Sequence, residues 1–166
     1  MDPLHYQLSE ETKQCIILVG NKIKTFLDLI RFDKPIGFTL LLWPCYFALA
    51  ILPNDPLNYV KWYIIFFLGS FLMRSAGCII NDLIDIKLDK KVTRTSKRPL
   101  VDGRISKFEA ISFLFILLVT AFLILMLFNI QAIVMALFSL PLIIIYPYMK
   151  RFMYWPQLVL GLVFSW

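Results

Sequence analysis

The sequence has few charged residues, one histidine and three cysteines. Charged residues make up 17% of its 166 residues, whereas 60% are hydrophobic and the mean hydropathy is +0.75. A soluble domain of this length is rarely so apolar. Because the histidine and the cysteines lack metal-ligand or disulfide spacing, neither a zinc site nor a disulfide is expected. We predict that Cys15, Cys45 and Cys78 are small buried hydrophobic residues.

The charges that remain are unevenly distributed. The formal net charge is +6, and the basic residues cluster in a few segments between long apolar runs. Such clustering is typical of membrane topology signals, so nucleic acid is not an expected partner. The first residues are polar and partly acidic, which argues against a secretory signal peptide. The composition therefore predicts an all-α, polytopic membrane protein in a lipid bilayer.

Residues 1–34 are predicted to form an N-terminal cytoplasmic helix in the membrane interface. Ser9 is a candidate N-cap, and Glu10 and Glu11 would lie in the first turn. Apolar residues then recur at helical spacing, while lysines occupy other faces, a pattern that favours lying in the interface over crossing the membrane. The preceding residues 1–8 are predicted to be frayed.

Residues 35–166 are predicted to form the transmembrane domain. The apolar runs give spans at about 36–52, 62–80, 108–128, 132–147 and a fifth from 155. The fifth run has about twelve residues, or roughly 18 Å of helix against a bilayer core of about 30 Å. We therefore expect a helical bundle that is truncated after about four and a half spans.

Basic residues predict the orientation. The N-terminal segment, the loop before residue 107 and Lys150-Arg151 are basic, while the turns at 53–60 and 129–131 contain no lysine or arginine. The basic regions are therefore expected in the cytoplasm, with the protein in the cell inner membrane. Arg74 lies within the second span, where an arginine costs roughly 2.5 to 3.5 kcal/mol on insertion scales. It is expected either to face a polar cavity or to pair with a neighbouring helix.

An acidic row follows the second span. If the helix continues past residue 80, Asn81, Asp85 and Asp89 share one face at i, i+4 and i+8. Like charges at this spacing repel, so a solvated helix end is one interpretation and a bound cation the other. Oxygen ligands without histidine or cysteine favour a hard ion, and Mg²⁺ is usually held by one or two carboxylates with substrate phosphates.

A basic tract lies directly after the acidic row. It comprises Lys90, Lys91, Arg94, Lys97, Arg98, Arg104 and Lys107. Aspartates beside such a tract predict a metal-diphosphate site, in which carboxylates hold the metal while guanidinium and ammonium groups neutralise phosphate charge.

Several sequence blocks resemble the UbiA-type membrane prenyltransferases, in the branch that prenylates 4-hydroxybenzoate. They occur in the same order as in that family and cover residues 31–166. The blocks are Asn81-Asp82-x-x-Asp85-x-x-x-Asp89, Arg94-Thr95-x-x-Arg98-Pro99-Leu100-x-x-Gly103, Asp33-Lys34-Pro35-Ile36-Gly37 with Leu40-Leu41-Leu42-Trp43-Pro44, and Tyr146-Pro147-x-Met149-Lys150-Arg151 with Trp155-Pro156-Gln157-x-x-Leu160-Gly161.

The resemblance implies a helical membrane enzyme of ubiquinone biosynthesis. Mg²⁺ would bridge two aspartate-rich motifs to the diphosphate of a polyprenyl donor, and the prenyl group would be transferred to the ring of 4-hydroxybenzoate. The second motif of the family lies beyond the fifth span, so we expect it to be absent from this chain. For the same reason we expect this chain alone to be inactive.

The resemblance also suggests a role for each candidate residue. Asp85 and Asp89 would hold the metal and act in catalysis, with Asp82 and Asn81 completing or orienting the ligand set. Arg98 would stabilise the departing diphosphate. The remaining candidates for the diphosphate or the acceptor are Lys91, Arg94, Lys150 and Arg151.

Three alternatives stay open at the level of sequence. A sister prenyltransferase would use haem, homogentisate or a naphthoate as acceptor. An inactive remnant, or one half of a split gene, would insert in the membrane without catalysis. A divalent-cation transporter is disfavoured, because its acidic residues should lie near the bilayer midplane instead of at a helix end.

Overall fold

The computed structural model describes residues 3–51, 56–152, 155, 157–158 and 161–162, with side chains described mainly for 12–51 and 58–141. These residues contain five helices and no strand, so the all-α prediction is confirmed. The helices are α1 (Pro3–Leu29), α2 (Ile36–Ile51), α3 (Pro56–Asp89), α4 (Lys107–Leu125) and α5 (Ile130–Phe152).

The long helix α3 packs against both α2 and α4. Ring contacts show that α2 and α3 are antiparallel: Phe38 meets Phe71 at 5.9 Å between centroids, and Tyr46 meets Tyr63 at 4.5 Å. Beyond the end of α4, Phe128 packs on Phe66 near the start of α3. Since α4 begins beside the other end of α3, these two helices are antiparallel as well.

The buried core lies at the C-terminal end of α3. It brings together one residue pair from the end of α1, one residue of α3, two of the following loop and two of α4: Leu29, Ile30, Ile79, Leu100, Ile105, Ala110 and Leu117. Four separate segments therefore close around this end of the helix. The packing fixes the loop between α3 and α4 against the end of α1.

Helix α1 differs from its prediction. It begins at Pro3, so the proposed N-cap at Ser9 is wrong, as is the frayed segment before it. Proline suits the first turn of a helix because its φ is fixed near the helical value and the missing N–H has no partner there. The side chains of residues 12–24 are all exposed, and packing against the rest of the chain begins at Thr25.

The predicted spans each coincide with a helix, although the bounds differ. Two segments, Asn58–Asp89 and Lys107–Leu125, are long and apolar enough to cross a membrane, judged by length and composition. The apolar helices Ile36–Ile51 and Ile130–Ile145 are shorter. Most of the predicted fifth span, from 155 onward, lies outside the described residues.

The cysteines and the large apolar side chains have mixed exposure. Cys78 is buried as predicted, but Cys45 is half-buried and Cys15 is exposed on α1, so the prediction of burial fails for both. Many large apolar side chains face outward, including Phe115 on α4 at 67% exposure and Trp43 on α2 at 57%. An apolar outer surface of this extent is typical of a protein surrounded by lipid.

Candidate active site at the end of α3

Helix α3 continues through the whole acidic row, as the sequence argument required. It ends at Asp89, so Asn81, Asp85 and Asp89 lie at i, i+4 and i+8 of one continuous helix. Asn81 and Asp85 are half-buried, and both interact with other groups of the chain. The helix therefore presents polar oxygens over about 12 Å of its length.

Asp82 is the most enclosed of these acidic residues. It is 1% exposed, and its Oδ1 accepts hydrogen bonds from two arginines. The donors are Arg31 Nη2 at 2.6 Å and Arg98 Nη1 at 3.0 Å. A buried carboxylate needs such partners, because removing it from water without them costs several kcal/mol.

Arg98 connects two of the aspartates. Its Nη1 donates to Asp82 Oδ1 and also to Asp89 Oδ2. Together with Arg31, this makes a network of two guanidinium groups and two carboxylates, with formal charges that cancel. We call these four residues the arginine–aspartate network. It joins the end of α1, the end of α3 and the following loop.

The loop that contains Arg98 is tied to α3 by a threonine. Thr95 is buried, and its Oγ1 donates to the carbonyl oxygen of Asp89 at 3.0 Å. The N–H of Arg98 then donates to the Thr95 carbonyl at 3.1 Å, and buried Leu100 follows two residues later. The threonine caps the end of α3 and sets the turn that presents Arg98 to the carboxylates.

Exposed ion pairs hold the outer side of the same loop. Arg104 contacts Asp28 Oδ2 at 3.0 Å and Asp102 Oδ2 at 2.7 Å, and it also donates to the carbonyl of Lys97 at 2.8 Å. The hydrogen bond to Asp102, followed by that to Asp28, raises the pKa of Arg104 above its usual value. This arginine ties the loop to α1 without touching the acidic row.

A basic pocket adjoins the arginine–aspartate network. Its lining combines three cationic side chains, Arg31, Lys34 and Arg74, with the rings of Phe38 and Phe71. Arg74 packs over Gly37, where a Cβ atom would lie 2.8 Å from its Cζ. Of the two alternatives for this arginine, the structure therefore shows the one in which it faces a polar pocket.

The remaining sequence candidates are more distant or outside the description. Lys91 and Arg94 are exposed on the loop after α3. Lys150 and Arg151 lie near the end of α5, and their side chains fall outside the described residues. Sequence reasoning missed Arg31, Lys34 and Thr95. Arg31 and Lys34 flank the block at 33–37, and the need of a buried aspartate for a cation was the signal that could have found Arg31.

The three predicted metal ligands do not form one cluster. Among the residues that the structure describes, no group of three or more carboxylate, histidine or cysteine side chains is placed to hold a metal ion. Arginines engage the oxygens of Asp82 and Asp89 instead. A site of three protein carboxylates therefore does not fit this arrangement, and a magnesium ion there stays a prediction.

Comparison with known proteins agrees with the site. The profile of the UbiA prenyltransferase family matches residues 41–166. The chain is 45% identical to a 4-hydroxybenzoate octaprenyltransferase of Pseudoalteromonas translucida, over 90% of this chain and 51% of that protein. It is 46% identical to a mitochondrial 4-hydroxybenzoate polyprenyltransferase of Caenorhabditis elegans, over 96% of this chain and 48% of that protein.

A third relative is the mitochondrial 4-hydroxybenzoate polyprenyltransferase of Dictyostelium discoideum, at 43% identity over 88% of this chain and 32% of that protein. The chain thus spans about half the length, or less, of these curated relatives. No solved structure matches it. The predicted resemblance is confirmed, because the profile matches most of the chain in the region of the site: the chain belongs to the UbiA prenyltransferase family.

Proposed function

We propose that the protein transfers a polyprenyl group from polyprenyl diphosphate to the ring of 4-hydroxybenzoate, with Mg²⁺ as cofactor, in ubiquinone biosynthesis. The observation that carries this proposal is the placement of the arginine–aspartate network beside a basic, aromatic-lined pocket. Family membership and the names of the relatives support the same reaction. One part of the site suits a diphosphate and the other suits an aromatic acid.

The reaction breaks the bond between C1 of the prenyl chain and a diphosphate oxygen. The electron pair leaves with the diphosphate, and positive charge spreads over the allyl group. C1 then bonds to the ring carbon ortho to the phenol, and that carbon loses its proton. Negative charge therefore grows on the leaving group, where preorganised cationic donors stabilise the transition state most.

Arg98 is the donor that we assign to the diphosphate. A guanidinium group has five N–H donors, and the contacts of Arg98 with Asp82 and Asp89 both use Nη1. Its planar fork matches phosphate oxygens, and its charge does not titrate near neutral pH. Lys91 and Arg94 lie on the same loop and would add positive potential at its outer side.

Asp85 and Asp89 are the residues that would hold Mg²⁺, together with diphosphate oxygens. Because magnesium is commonly bound through one or two carboxylates and substrate phosphates, this proposal does not need a cluster of three. When bound, the ion would neutralise charge on the leaving diphosphate. Asp82 is engaged by two arginines, which supports an orienting role for it.

The basic pocket is the proposed site for the acceptor. Arg74 and Lys34 supply charge for a carboxylate, and the rings of Phe38 and Phe71 supply apolar walls for an aromatic ring. Arg31 lies in the same lining and also contacts Asp82, so the pocket and the diphosphate site share a wall. Such adjacency is what transfer from C1 to a ring carbon requires.

The proposed location is the cell inner membrane, with the N-terminus and the loop 82–107 in the cytoplasm. The polar site lies at one end of α3, where a charged diphosphate can remain in water. The apolar outer surface of α4 would contact lipid, and the polyprenyl chain would extend along it. Basic residues concentrate in the α1 region and in this loop, which supports the orientation.

The deciding experiment is a prenyl transfer assay with the purified protein expressed from its complete gene. Farnesyl diphosphate and Mg²⁺ are offered with 4-hydroxybenzoate, homogentisate, a naphthoate or haem, and each product is identified by mass. We expect transfer to 4-hydroxybenzoate and its loss when the metal is chelated. Transfer to another acceptor would support a sister enzyme, and no transfer to any of them would favour a non-catalytic protein.

A further inference from the structure

Arg31 has a backbone conformation that arginine rarely adopts. Its φ is 57°, and it is the one non-glycine residue with positive φ in the part of the chain that the structure describes. This left-handed region brings Cβ close to the following carbonyl, so glycine usually occupies it. A side chain retained in such a conformation at a candidate site is a reason to ask what it does.

The unusual conformation belongs to a Schellman turn at the end of α1. The N–H of Phe32 donates to the Leu27 carbonyl at 3.0 Å, and the N–H of Arg31 donates to the Asp28 carbonyl at 3.1 Å. This bonding pattern places Arg31 at the position after the helix cap, where glycine is preferred. The backbone alone therefore gives no reason for an arginine.

The side chain of Arg31 supplies that reason. From the turn it reaches across to α3 and donates to Oδ1 of Asp82, 51 positions along the chain. Asp82 is 1% exposed, so its charge depends on its cationic partners. One of these partners, Arg98, is divided between Asp82 and Asp89 and is also the arginine assigned to the diphosphate.

We propose that Arg31 is a positioning residue: it is the fixed counter-ion of Asp82, and it thereby holds that carboxylate where Arg98 is oriented towards the diphosphate. This inference rests on the proposed function for its catalytic consequence. With Arg31 in place, Asp82 keeps a guanidinium partner when Arg98 turns to a diphosphate oxygen. Without Arg31, Arg98 would remain bound between the two aspartates, since it would be the one cation left to them in the described network.

Arg31→Gly is the informative variant. Glycine is the preferred residue for the left-handed position, so the Schellman turn should survive while the guanidinium is lost. Two properties are measured for the protein expressed from its complete gene. Hydrogen exchange of backbone amides at 95–102, without substrate, reports the position of the Arg98 loop. Steady-state kinetics give KM for farnesyl diphosphate and kcat.

We expect faster exchange at 95–102 in Arg31→Gly and a KM for farnesyl diphosphate raised about tenfold or more, the scale of one charge-assisted hydrogen bond. Arg31→Lys retains a charge near Asp82 and should restore part of both properties. It also serves as the second variant if the glycine variant does not fold. Asp82→Asn should raise KM in the same direction, and combining it with Arg31→Gly should add little, because both act through one contact.

Lys22→Gln is the matched control. Lys22 also links α1 to another helix, through an exposed ion pair with Glu109, but it lies away from the acidic row. Its removal should leave KM and exchange at 95–102 unchanged. If it changed them as much as Arg31→Gly does, general docking of α1 would explain the effect and the positioning role would be wrong.

Each other outcome has a defined meaning. Unchanged exchange at 95–102 in Arg31→Gly overturns the proposal, and a raised KM in that case would mean that Arg31 contacts substrate itself. Faster exchange with unchanged KM also overturns it, because the position of the loop would then not matter to the diphosphate. If the unaltered protein transfers no prenyl group, the proposed function fails, and the exchange comparison still decides whether Arg31 positions Arg98.

Discussion

The two ends of α3 are held by different interactions. At the C-terminal end, which we call the acidic end (residues 81–89), directional ion pairs join carboxylates to arginines from two other segments. At the N-terminal end, which we call the aromatic end (residues 59–66), ring contacts dominate. Tyr63 packs on Tyr46, and Trp62 and Phe66 both pack on Phe128.

The difference separates chemistry from anchoring. Ion pairs fix the position of individual atoms, as a site for a charged substrate requires, and they are costly unless every buried charge is satisfied. Ring contacts tolerate small displacements and suit an end that lies among lipid head groups, where tyrosine and tryptophan are enriched. Lys61, over the ring of Trp62 at 5.5 Å, is compatible with such an interface. We therefore expect substitutions at the acidic end to change function and those at the aromatic end to change stability.

The largest effect is expected for Asp82→Ala. It leaves Arg31 and Arg98 without the buried oxygen that they share, and breaking one partner of a buried ion pair typically costs about 3 to 5 kcal/mol. Denaturant unfolding in detergent, followed by circular dichroism, measures the loss. Prenyl transfer should disappear together with the stability.

Asp102→Ala is the matched control for that prediction. It also removes a carboxylate from an arginine, Arg104, but on the exposed side of the same loop. Exposed pairs contribute about 0 to 1 kcal/mol, so its unfolding free energy should change little. Equal losses in the two variants would show that burial does not set the strength of these pairs.

The next prediction divides the acidic row by metal binding. Asp85→Asn and Asp89→Asn should each abolish Mg²⁺-dependent binding of farnesyl diphosphate, measured by calorimetry with and without the metal. Only Asp89→Asn should also loosen the loop, because Asp89 contacts Arg98 and its carbonyl accepts from Thr95. Near-normal turnover in both variants would mean that the row is structural.

Much of the fold follows from local sequence pattern. Apolar runs predicted the four helices α2 to α5, because burial in lipid requires long apolar segments whatever their neighbours are. The continuation of α3 through Asp89 followed from the polar spacing at 81, 85 and 89. The start of α1 was missed because Ser9 looks like an N-cap, while a proline at position 3 begins the helix earlier.

The site was less predictable, because its contacts join distant segments. Asp82 was assigned to a metal, yet its described partners are Arg31, 51 residues away, and Arg98, 16 residues away. Periodicity along one helix says which residues share a face, but not which loop packs there. The basic pocket was missed for the same reason: it exists because the turn after α1 meets α3.

A smaller effect is expected at the aromatic end from Phe128→Leu. The substitution keeps an apolar side chain but removes two ring contacts, with Trp62 at 5.1 Å and Phe66 at 5.3 Å, each worth about 0.5 to 1.5 kcal/mol. Unfolding free energy should fall by about that amount, while the KM for farnesyl diphosphate stays unchanged. Phe115→Leu, at an exposed position of α4, is the control and should change neither value. A raised KM in Phe128→Leu would break the division between the two ends.

The smallest perturbation tests which side of the membrane each end faces. Ser96→Cys lies beyond the acidic end and Asn58→Cys near the aromatic end, each in a protein whose Cys15, Cys45 and Cys78 are replaced by serine or alanine. Basic residues near the acidic end predict that it is cytoplasmic, so a membrane-impermeant maleimide added to intact cells should label Asn58→Cys alone. Because Ser96 is half-buried, its labelling in opened membranes must first show that the thiol is reachable. Neither substitution should reduce prenyl transfer. Labelling of Ser96→Cys from outside, with Asn58→Cys protected, would place the acidic end on the outer face and reverse the orientation argued from the basic residues.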